Sequence, residues 1–137
     1  MNNNISYITR RESLSIAHRL YNNKFSHEKN LKIYDKCTSC HGHNFNLFVT
    51  VRSNIDQETG MIMNFKELKK IVREEVYNKM DHKYLNEDVD EFKNGVLMPT
   101  AENMALIIWR WLKPHLPGLF EVKLEETENN SIIYRGE

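Results

Sequence analysis

Hydrophobic and polar residues alternate along two segments in the first half of the chain. The apolar positions of the first segment are Leu14, Ile16, His18 and Leu20, if His18 is counted with its neighbours. Those of the second segment are Phe45, Leu47, Val49 and Val51. A period of two residues places these side chains on one face of an extended chain. The pattern therefore predicts two β-strands, each with one face towards a core.

Apolar residues at helical spacing predict two helices further along the chain. Asn64 is placed to cap the first helix, with Glu67 three residues later. Its apolar stripe is Phe65, Leu68, Ile71, Val72 and Val76. Pro99 and Thr100 introduce the second helix, which should end before Pro114. Its apolar stripe is Met104, Ala105, Ile108, Trp111 and Leu112.

The last part of the chain has the pattern of a hairpin. Phe120, Val122 and Leu124 alternate with charged residues, the pair Asn129–Asn130 suits a tight turn, and residues 132–134 return. The order of elements is then two strands, two helices and two strands, which indicates the α+β class. A chain of 137 residues is expected to form a single domain over residues 1–137.

Composition and charge narrow the functional classes. The chain has 19 basic and 19 acidic residues, and this balance disfavours a nucleic-acid-binding protein. The N-terminal residues lack the apolar run of a signal peptide, and no segment has the roughly 20 apolar residues that span a bilayer. We therefore expect a cytoplasmic protein without membrane contact, whose two cysteines are reduced thiols.

Three histidines lie on the apolar faces of the two predicted N-terminal strands. His41 and His43 share the parity of Phe45, so both rings point to the apolar side if the strand begins that early. His18 occupies the same kind of position on the other strand. Three neutral imidazoles are typical ligands of a catalytic zinc ion with an open fourth position. The alternative is three unrelated core or surface histidines.

The segment "CTSCHGH" permits several readings. C-x-x-C-H is a c-type haem attachment motif, but covalent haem normally follows export. C-x-x-C is also a redox motif, although here it leads into a strand instead of a helix. A structural zinc site would pack Cys37, Cys40, His41 and His43 into seven residues, which strains tetrahedral geometry. Another interpretation is a reactive thiolate, and spacing alone does not choose between Cys37 and Cys40. Either cysteine could instead be a small buried hydrophobic residue.

Several carboxylates are further candidates. Asp81 and His82 follow the first helix and could form a general base with its orienting partner, or simply a polar loop. Glu126 shares a strand face with Leu124, and a carboxylate on an apolar face must be paired or functional. Thr100 and Glu102 fit the first turn of the second helix as ordinary capping residues.

Taken together, these segments resemble one known family. "SIAHRL", "CTSCHGHNF", "TGMIMNFKELKK", "MDHKYLN", "PTAENMALIIW" and "EETENNSIIYRGE" occur in this order, and the resemblance runs from about Ser13 to Glu137. The chain resembles the 6-pyruvoyl-tetrahydropterin synthase and 6-carboxy-tetrahydropterin synthase family. The resemblance implies a T-fold, an antiparallel sheet with two helices. It also implies a ring-shaped assembly, usually a homohexamer of two trimers, with active sites between subunits.

The resemblance also implies roles for individual residues. It assigns Zn²⁺ to three histidines: His18, His41 and His43. It assigns proton transfer to Cys37, Asp81, His82 and Glu126. It assigns the binding of the pterin ring to Glu126, and places near the pterin Thr100 and Glu102. The family's Thr-Thr-Glu appears here as Thr100-Ala101-Glu102, so Ala101 supplies no hydroxyl.

The sequence gives mixed indications of the reaction product. The short C-x-x-x-H-G-H spacing resembles the 6-carboxy enzymes of the queuosine (7-deazaguanine) pathway, which release triphosphate and acetaldehyde from 7,8-dihydroneopterin triphosphate. "HRLYNNKFSHEKNLKIYDKC" and "ENNSIIYRGE" are closer to the 6-pyruvoyl enzymes of tetrahydrobiopterin-type synthesis, which eliminate triphosphate and keep all three carbons. The loop spacing leads us to expect the 6-carboxy enzyme, with the 6-pyruvoyl enzyme as the alternative. A zinc-stabilised binding protein without catalysis is the second alternative.

Overall fold

A five-stranded sheet with helices packed against one face organises the chain. The computed structural model describes residues 3–137. The strands, in the sheet order β3-β1-β2-β4-β5, are β1 (Ile5–His18), β2 (His41–Asn54), β3 (Lys83–Tyr84), β4 (Leu119–Glu125) and β5 (Ser131–Tyr134). The helices are α1 (His27–Tyr34), α2 (Phe65–Val72), α3 (Asn78–Met80), α4 (Leu85–Asp88) and α5 (Ala101–Leu112). The α+β class expected from the sequence is confirmed.

The long antiparallel pair β1–β2 is the largest feature of the sheet. Both strands have 14 residues and pair from Ile5 opposite Asn54 to His18 opposite His41. The apolar faces predicted from alternation are confirmed, since the following residues are buried: Leu14, Ile16, Phe45, Leu47, Val49 and Val51. Leu20 was expected to continue the first alternation, but β1 ends at His18 because the chain turns there.

The helix caps also agree with the sequence. The Asn64 side chain accepts a hydrogen bond from the backbone N–H of Lys66 and caps α2, and Thr100 caps α5 by accepting from Asn103. α5 packs across β4 and β5, and α2 packs on β1. The residues of α2, α5 and the sheet that face one another form one apolar core.

Three features were not predicted. α1 has no apolar stripe, and its one buried residue is Asn30, so periodicity gave no helix there. The helix that begins at Phe65 widens into a π-helical turn at Arg73–Tyr77 before α3. The two-residue strand β3 joins the edge of the sheet in parallel to β1. Two residues are too few to show the alternating hydrophobic pattern that predicts a strand.

The hairpin at the end of the chain follows its predicted pattern. β4 and β5 pair antiparallel, with Leu124 opposite Ile132 on the core face. Among residues 3–137, no helix is long and apolar enough to cross a bilayer. The cytoplasmic location expected from the sequence stays a prediction.

A buried amide holds the segment that leads from β1 to α1. Asn30 is 0% exposed. Its side-chain oxygen accepts from the backbone N–H of Asn22 at 2.8 Å, and its amide donates to the carbonyl oxygens of Asn22 and Ser26 at 2.9 and 3.0 Å. The side chain thereby gives the Asn22 N–H its acceptor and adds a second donor to the carbonyl oxygens of Asn22 and Ser26, which also accept the backbone N–H groups of Phe25 and Asn30.

We expect Asn30→Ala to lower the free energy of unfolding by about 2–3 kcal/mol, because it removes the hydrogen bonds of a buried amide and leaves the Asn22 N–H without its acceptor. Urea unfolding monitored by circular dichroism measures this loss. Asn78→Ala, at an exposed position of α3, is the matched control and should change stability by no more than about 0.5 kcal/mol. Equal effects of the two substitutions would contradict this role of Asn30.

Candidate metal centre and active site

Three histidines meet where β1 and β2 end. The register places His18 opposite His41 and Ile16 opposite His43, so all three rings lie on the core face. One potential ligand atom from each ring lies within 4.8 Å of those of the other two. The rings contact one another edge to face, with centroids 4.6–5.3 Å apart. The predicted convergence of His18, His41 and His43 is thus present in the structure.

Backbone carbonyls orient two of the rings. His18 Nδ1 lies 2.7 Å from the carbonyl oxygen of Pro99, and His41 Nδ1 lies 2.7 Å from that of Ser39. A carbonyl oxygen only accepts hydrogen bonds, so each Nδ1 carries the proton and donates. In a neutral ring this leaves the lone pair of Nε2 free. An imidazole that binds a metal through one nitrogen commonly donates the other N–H in this way.

The third ring has an unpaired nitrogen. His43 Nε2 is buried and has no hydrogen-bond partner among the described residues. Glu126 Oε1 is its nearest charged neighbour, at 3.7 Å, which is too long for a hydrogen bond. A buried polar atom without a partner calls for an explanation, and a metal ion supplies one. The donor set of this cluster therefore fits a divalent ion such as Zn²⁺.

Burial lowers the pKa of two of the three histidines. His18 is 2% exposed. Burial lowers the pKa of His18 to about 4; the hydrogen bond to Pro99 opposes the shift, and the neighbouring His41 and His43 add to it. Burial also lowers the pKa of His43, although the Glu126 carboxylate opposes this shift. At neutral pH His18 is therefore unprotonated, which is the form that binds metal.

Carboxylates line a small cavity beside the histidines. Glu102 and Glu126 both border a cavity of about 130 Å³ between the first turn of α5 and the end of β4. Glu126 lies directly after Leu124 and Glu125, on the side of His43, as strand parity predicted. Thr100 is the cap residue of α5, and its hydroxyl accepts the N–H of Asn103 at 3.2 Å. The structure therefore places Glu102 and Glu126 together and uses Thr100 as a cap.

Asp81 and His82 form a pair at the edge of the sheet. Asp81 Oδ2 lies 2.5 Å from His82 Nδ1, and Asp81 Oδ1 accepts the backbone N–H of Ser15 at 2.9 Å. Burial favours a higher pKa for Asp81, but the hydrogen bonds from Ser15, His82 and Tyr77 outweigh it and lower the pKa. His82 has a φ of 60°, a left-handed conformation that is uncommon for a non-glycine residue. Its side chain is 81% exposed.

Cys37 lies on the 3₁₀ turn Asp35–Thr38, just before β2. Its carbonyl oxygen accepts the N–H of Leu20 at 2.8 Å, which ties the turn to the end of β1. The Cys37 side chain is half-buried, and Cys40 is exposed. Within residues 3–137, no hydrogen bond or ion pair joins Cys37 or His82 to the histidine cluster. One chain thus assembles the histidines with Glu126, which shares its cavity with Glu102.

Sequence reasoning missed the groups that orient the site. The carbonyls of Pro99 and Ser39 and the backbone N–H of Ser15 belong to the main chain. Pro99 is 81 positions from His18, so no local pattern could connect them. Tyr77, in the π-helical turn, hydrogen-bonds Asp81, and this contact raises the pKa of the tyrosine. A π-helical turn has no residue signature that the sequence would reveal.

Known proteins share this sequence and fold. The sequence model of the 6-pyruvoyl tetrahydropterin synthase family matches residues 7–137. The chain is 49% identical over 131 residues to the 6-pyruvoyl tetrahydrobiopterin synthase of Dictyostelium discoideum, over 95% of this chain and 96% of that protein. It is 45% identical over 134 residues to the human protein of the same name, over 95% and 91%.

The structure of Caenorhabditis elegans 6-pyruvoyl tetrahydropterin synthase has a TM-score of 0.93 and 33% identity, over 100% of this chain and 99% of that chain. The fold and the site define a pterin synthase of the T-fold type. The chain belongs to the 6-pyruvoyl tetrahydropterin synthase family, as its motifs indicated. Its relatives are enzymes, which favours an enzyme over the zinc-stabilised binding protein without catalysis.

The expectation of a 6-carboxy-tetrahydropterin synthase of the queuosine pathway is wrong. Relatives that are 41% to 49% identical carry the name 6-pyruvoyl tetrahydrobiopterin synthase. The expectation was based on the length of one loop between Cys37 and the H-G-H motif. Loops tolerate insertions and deletions, whereas this identity covers at least 95% of the chain.

We expect His43→Ala to reduce bound metal from about one ion per chain to near zero, because it removes one of three nitrogen ligands. Metal analysis of the purified, dialysed protein measures this. His27→Ala is the matched control, since His27 lies at the start of α1 outside the cluster. Retention of metal by His43→Ala, in a folded protein, would contradict the assignment.

We expect the metal-free protein, prepared with a chelator, to lose stability as the pH falls from about 6.5 to about 4. In this window His18 is protonated in the unfolded chain, whereas burial lowers its folded pKa to about 4. The unfolded chain then binds more protons, so the free energy of unfolding falls by up to about 1.4 kcal/mol per pH unit. Urea unfolding at several pH values measures the slope, which His18→Phe should reduce. An unchanged slope in that variant would contradict the assignment to His18.

Proposed function

We propose that this chain is a zinc-dependent 6-pyruvoyl-tetrahydropterin synthase. Its substrate is 7,8-dihydroneopterin triphosphate, from which it eliminates triphosphate while all three side-chain carbons are retained. The observation that carries the proposal is the cluster of three histidines beside Glu126, at a cavity that Glu102 also lines. The names of the relatives support the same reaction.

His18, His41 and His43 would hold the zinc ion. When bound, zinc supplies Lewis acidity, which makes hydroxyl and adjacent C–H groups of the substrate side chain easier to deprotonate. Three histidine ligands leave a coordination position open for substrate. The carbonyls of Pro99 and Ser39 fix two of these rings before substrate arrives, so little reorganisation is needed.

Glu126 and Glu102 are suited to the pterin ring. A pterin presents adjacent N–H donors on one edge, and a carboxylate accepts two such donors side by side. Glu126 is half-buried and lies 3.7 Å from His43, so a ring held there lies close to the proposed metal. Glu126 thereby sets the position of the side chain that reacts. Thr100 would contribute indirectly, because it caps α5, the helix that carries Glu102 in its first turn.

Proton transfer is assigned to Cys37 and to the Asp81–His82 pair. Asp81 accepts from Nδ1 of His82, and this leaves Nε2 of His82 free to take a proton from a thiol or a substrate. Because neither Cys37 nor His82 forms a hydrogen bond or ion pair with the histidine cluster within residues 3–137, we propose that neighbouring subunits complete the site. The homohexamer of two trimers implied by the family resemblance provides such subunits.

The reaction is tested by incubating the zinc-loaded protein with 7,8-dihydroneopterin triphosphate and identifying the products by mass spectrometry. We expect a 6-pyruvoyl pterin and inorganic triphosphate, with no acetaldehyde. Heat-denatured protein with added zinc is the control for reaction in solution. Absence of pyruvoyl product from a folded, metal-loaded protein would overturn the proposal.

We expect Cys37→Ala to lower kcat by about 10²- to 10⁴-fold, because the thiol takes and returns protons. Metal content and thermal unfolding should match the parent protein, since Cys37 is not among the three proposed metal ligands. Cys40→Ala is the matched control, because Cys40 is exposed and has no assigned role. Similar activity of Cys37→Ala and the parent protein would remove Cys37 from the mechanism.

A further inference from the structure

Arg19 has a buried donor without an acceptor. Its Nε is buried and unpaired among the described residues. The guanidinium lies against the ring of Tyr21, with Cζ 4.6 Å from the ring centroid. Asn86 fixes the main chain of Arg19 through two hydrogen bonds of 3.0 Å. Its side-chain oxygen accepts the backbone N–H of Arg19, and its side-chain amide donates to the backbone carbonyl of Arg19. Arg19 is therefore held in place without a partner for its charge.

The other described arginines differ from Arg19. Five of them hydrogen-bond side-chain oxygens of Glu12, Asn46, Tyr7 or Glu121, and these are Arg10, Arg11, Arg52, Arg73 and Arg135. Arg110 is exposed, so water solvates its charge. A half-buried guanidinium without an ion pair bears a desolvation cost that only a bound anion would offset.

A cavity adjoins this guanidinium. It measures about 270 Å³, and Arg19, Tyr21, Asn23, Tyr84 and Asn86 are among its lining residues. Amides and phenol groups donate hydrogen bonds and carry no charge that would repel an anion. Glu87 also lines the cavity, but it is exposed and can turn its carboxylate to water.

The cavity lies next to the site already described. Arg19 directly follows His18 in the chain. Leu20 donates its N–H to the carbonyl of Cys37, so the turn that carries the thiol adjoins the same segment. Tyr84 lies on β3, which pairs with Ala17 of β1. The cavity wall and the turn that carries Cys37 therefore both adjoin the segment at the end of β1.

We propose that Arg19 and this cavity bind a phosphate group. A guanidinium presents parallel N–H donors that match the oxygens of a phosphate, and stacking on Tyr21 orients it for this contact. Two sources of the group fit: the triphosphate tail of the substrate, which rests on the function proposed above, or free inorganic phosphate or triphosphate. The proposed contact is with phosphate oxygens and requires no reaction.

The test is calorimetric titration of the full-length, metal-loaded protein with inorganic triphosphate and with inorganic phosphate. Metal content is measured before and after, because triphosphate chelates divalent ions. We expect Arg19→Gln to weaken triphosphate binding about tenfold or more, and Arg19→Lys to weaken it less, because lysine keeps the charge but loses the fork. Glu87→Gln should strengthen binding, since it removes a negative charge from the cavity wall.

Arg52→Gln is the matched control, because Arg52 also lies over a tyrosine ring, 5.9 Å from that of Tyr7, but outside the cavity. Its binding should equal that of the parent protein. Circular dichroism melting checks that each variant folds. Should Arg19→Gln fail to fold, the opposite effects of Arg19→Lys and Glu87→Gln still decide the matter. Unchanged triphosphate binding in Arg19→Lys and Glu87→Gln, or no binding by the parent protein, would overturn the proposal.

Steady-state kinetics distinguish the two sources. If the substrate tail binds at Arg19, Arg19→Gln raises KM about tenfold for 7,8-dihydroneopterin triphosphate and leaves kcat nearly unchanged. If KM is unchanged while triphosphate binding is lost, the cavity binds the free anion. The titration needs no turnover, so failure of the proposed function would leave its result intact, and a normal enzyme without triphosphate binding would refute the Arg19 site alone.

Discussion

The pairing of β1 with β2 is the constraint on which the rest of the structure depends. Over 14 residues the register fixes which side chains face the helices, and its last pair is His18 opposite His41. A slip of one residue would turn every side chain of a strand to the other face. Leu14, Phe45 and the rest of the apolar face oppose such a slip, because it would expose them. The hydrophobic core thereby sets the geometry of three polar ligands at its end.

Burying imidazoles at the end of an apolar face has an energetic consequence. Each ring needs partners, and the main chain supplies them for His18 and His41 through the carbonyls of Pro99 and Ser39. The carbonyl of Pro99 is positioned because Thr100 starts α5 at that point. The first turn of α5 therefore orients a histidine of β1 and also carries Glu102 to the cavity shared with Glu126. Folding and site geometry depend on the same few contacts.

A structural feature could be predicted from the sequence when the interactions that produce it lie within a few residues of one another. Strand faces and helix caps at Asn64 and Thr100 were predicted because alternation and capping act within a few residues. α1 escaped prediction because its buried residue is a hydrogen-bonded Asn30, which no hydrophobicity pattern reveals. Strand parity placed four residues on the core side: His18, His41, His43 and Glu126. It could not reveal the backbone carbonyls that orient two of the rings, and the carbonyl of Pro99 is far from His18 in the sequence. The product was predicted wrongly because one loop length outweighed similarity along the whole chain.

The two parts of the candidate site, the histidine cluster and the Asp81–His82 pair, also differ in their burial and contacts. In the histidine cluster His18 is buried, His41 and His43 are partly exposed, and the ring contacts come from the same chain. His82 is held by Asp81 in a left-handed conformation, yet its ring is 81% exposed. Strained residues persist where the surrounding structure fixes them, and they cluster at functional sites. Because Asp81 accepts a hydrogen bond from Nδ1 of His82, Nε2 of this exposed ring remains available to a molecule or subunit at the edge of the sheet. The chain thus orients His82 at the edge of the sheet and gathers His18, His41 and His43 where β1 and β2 end.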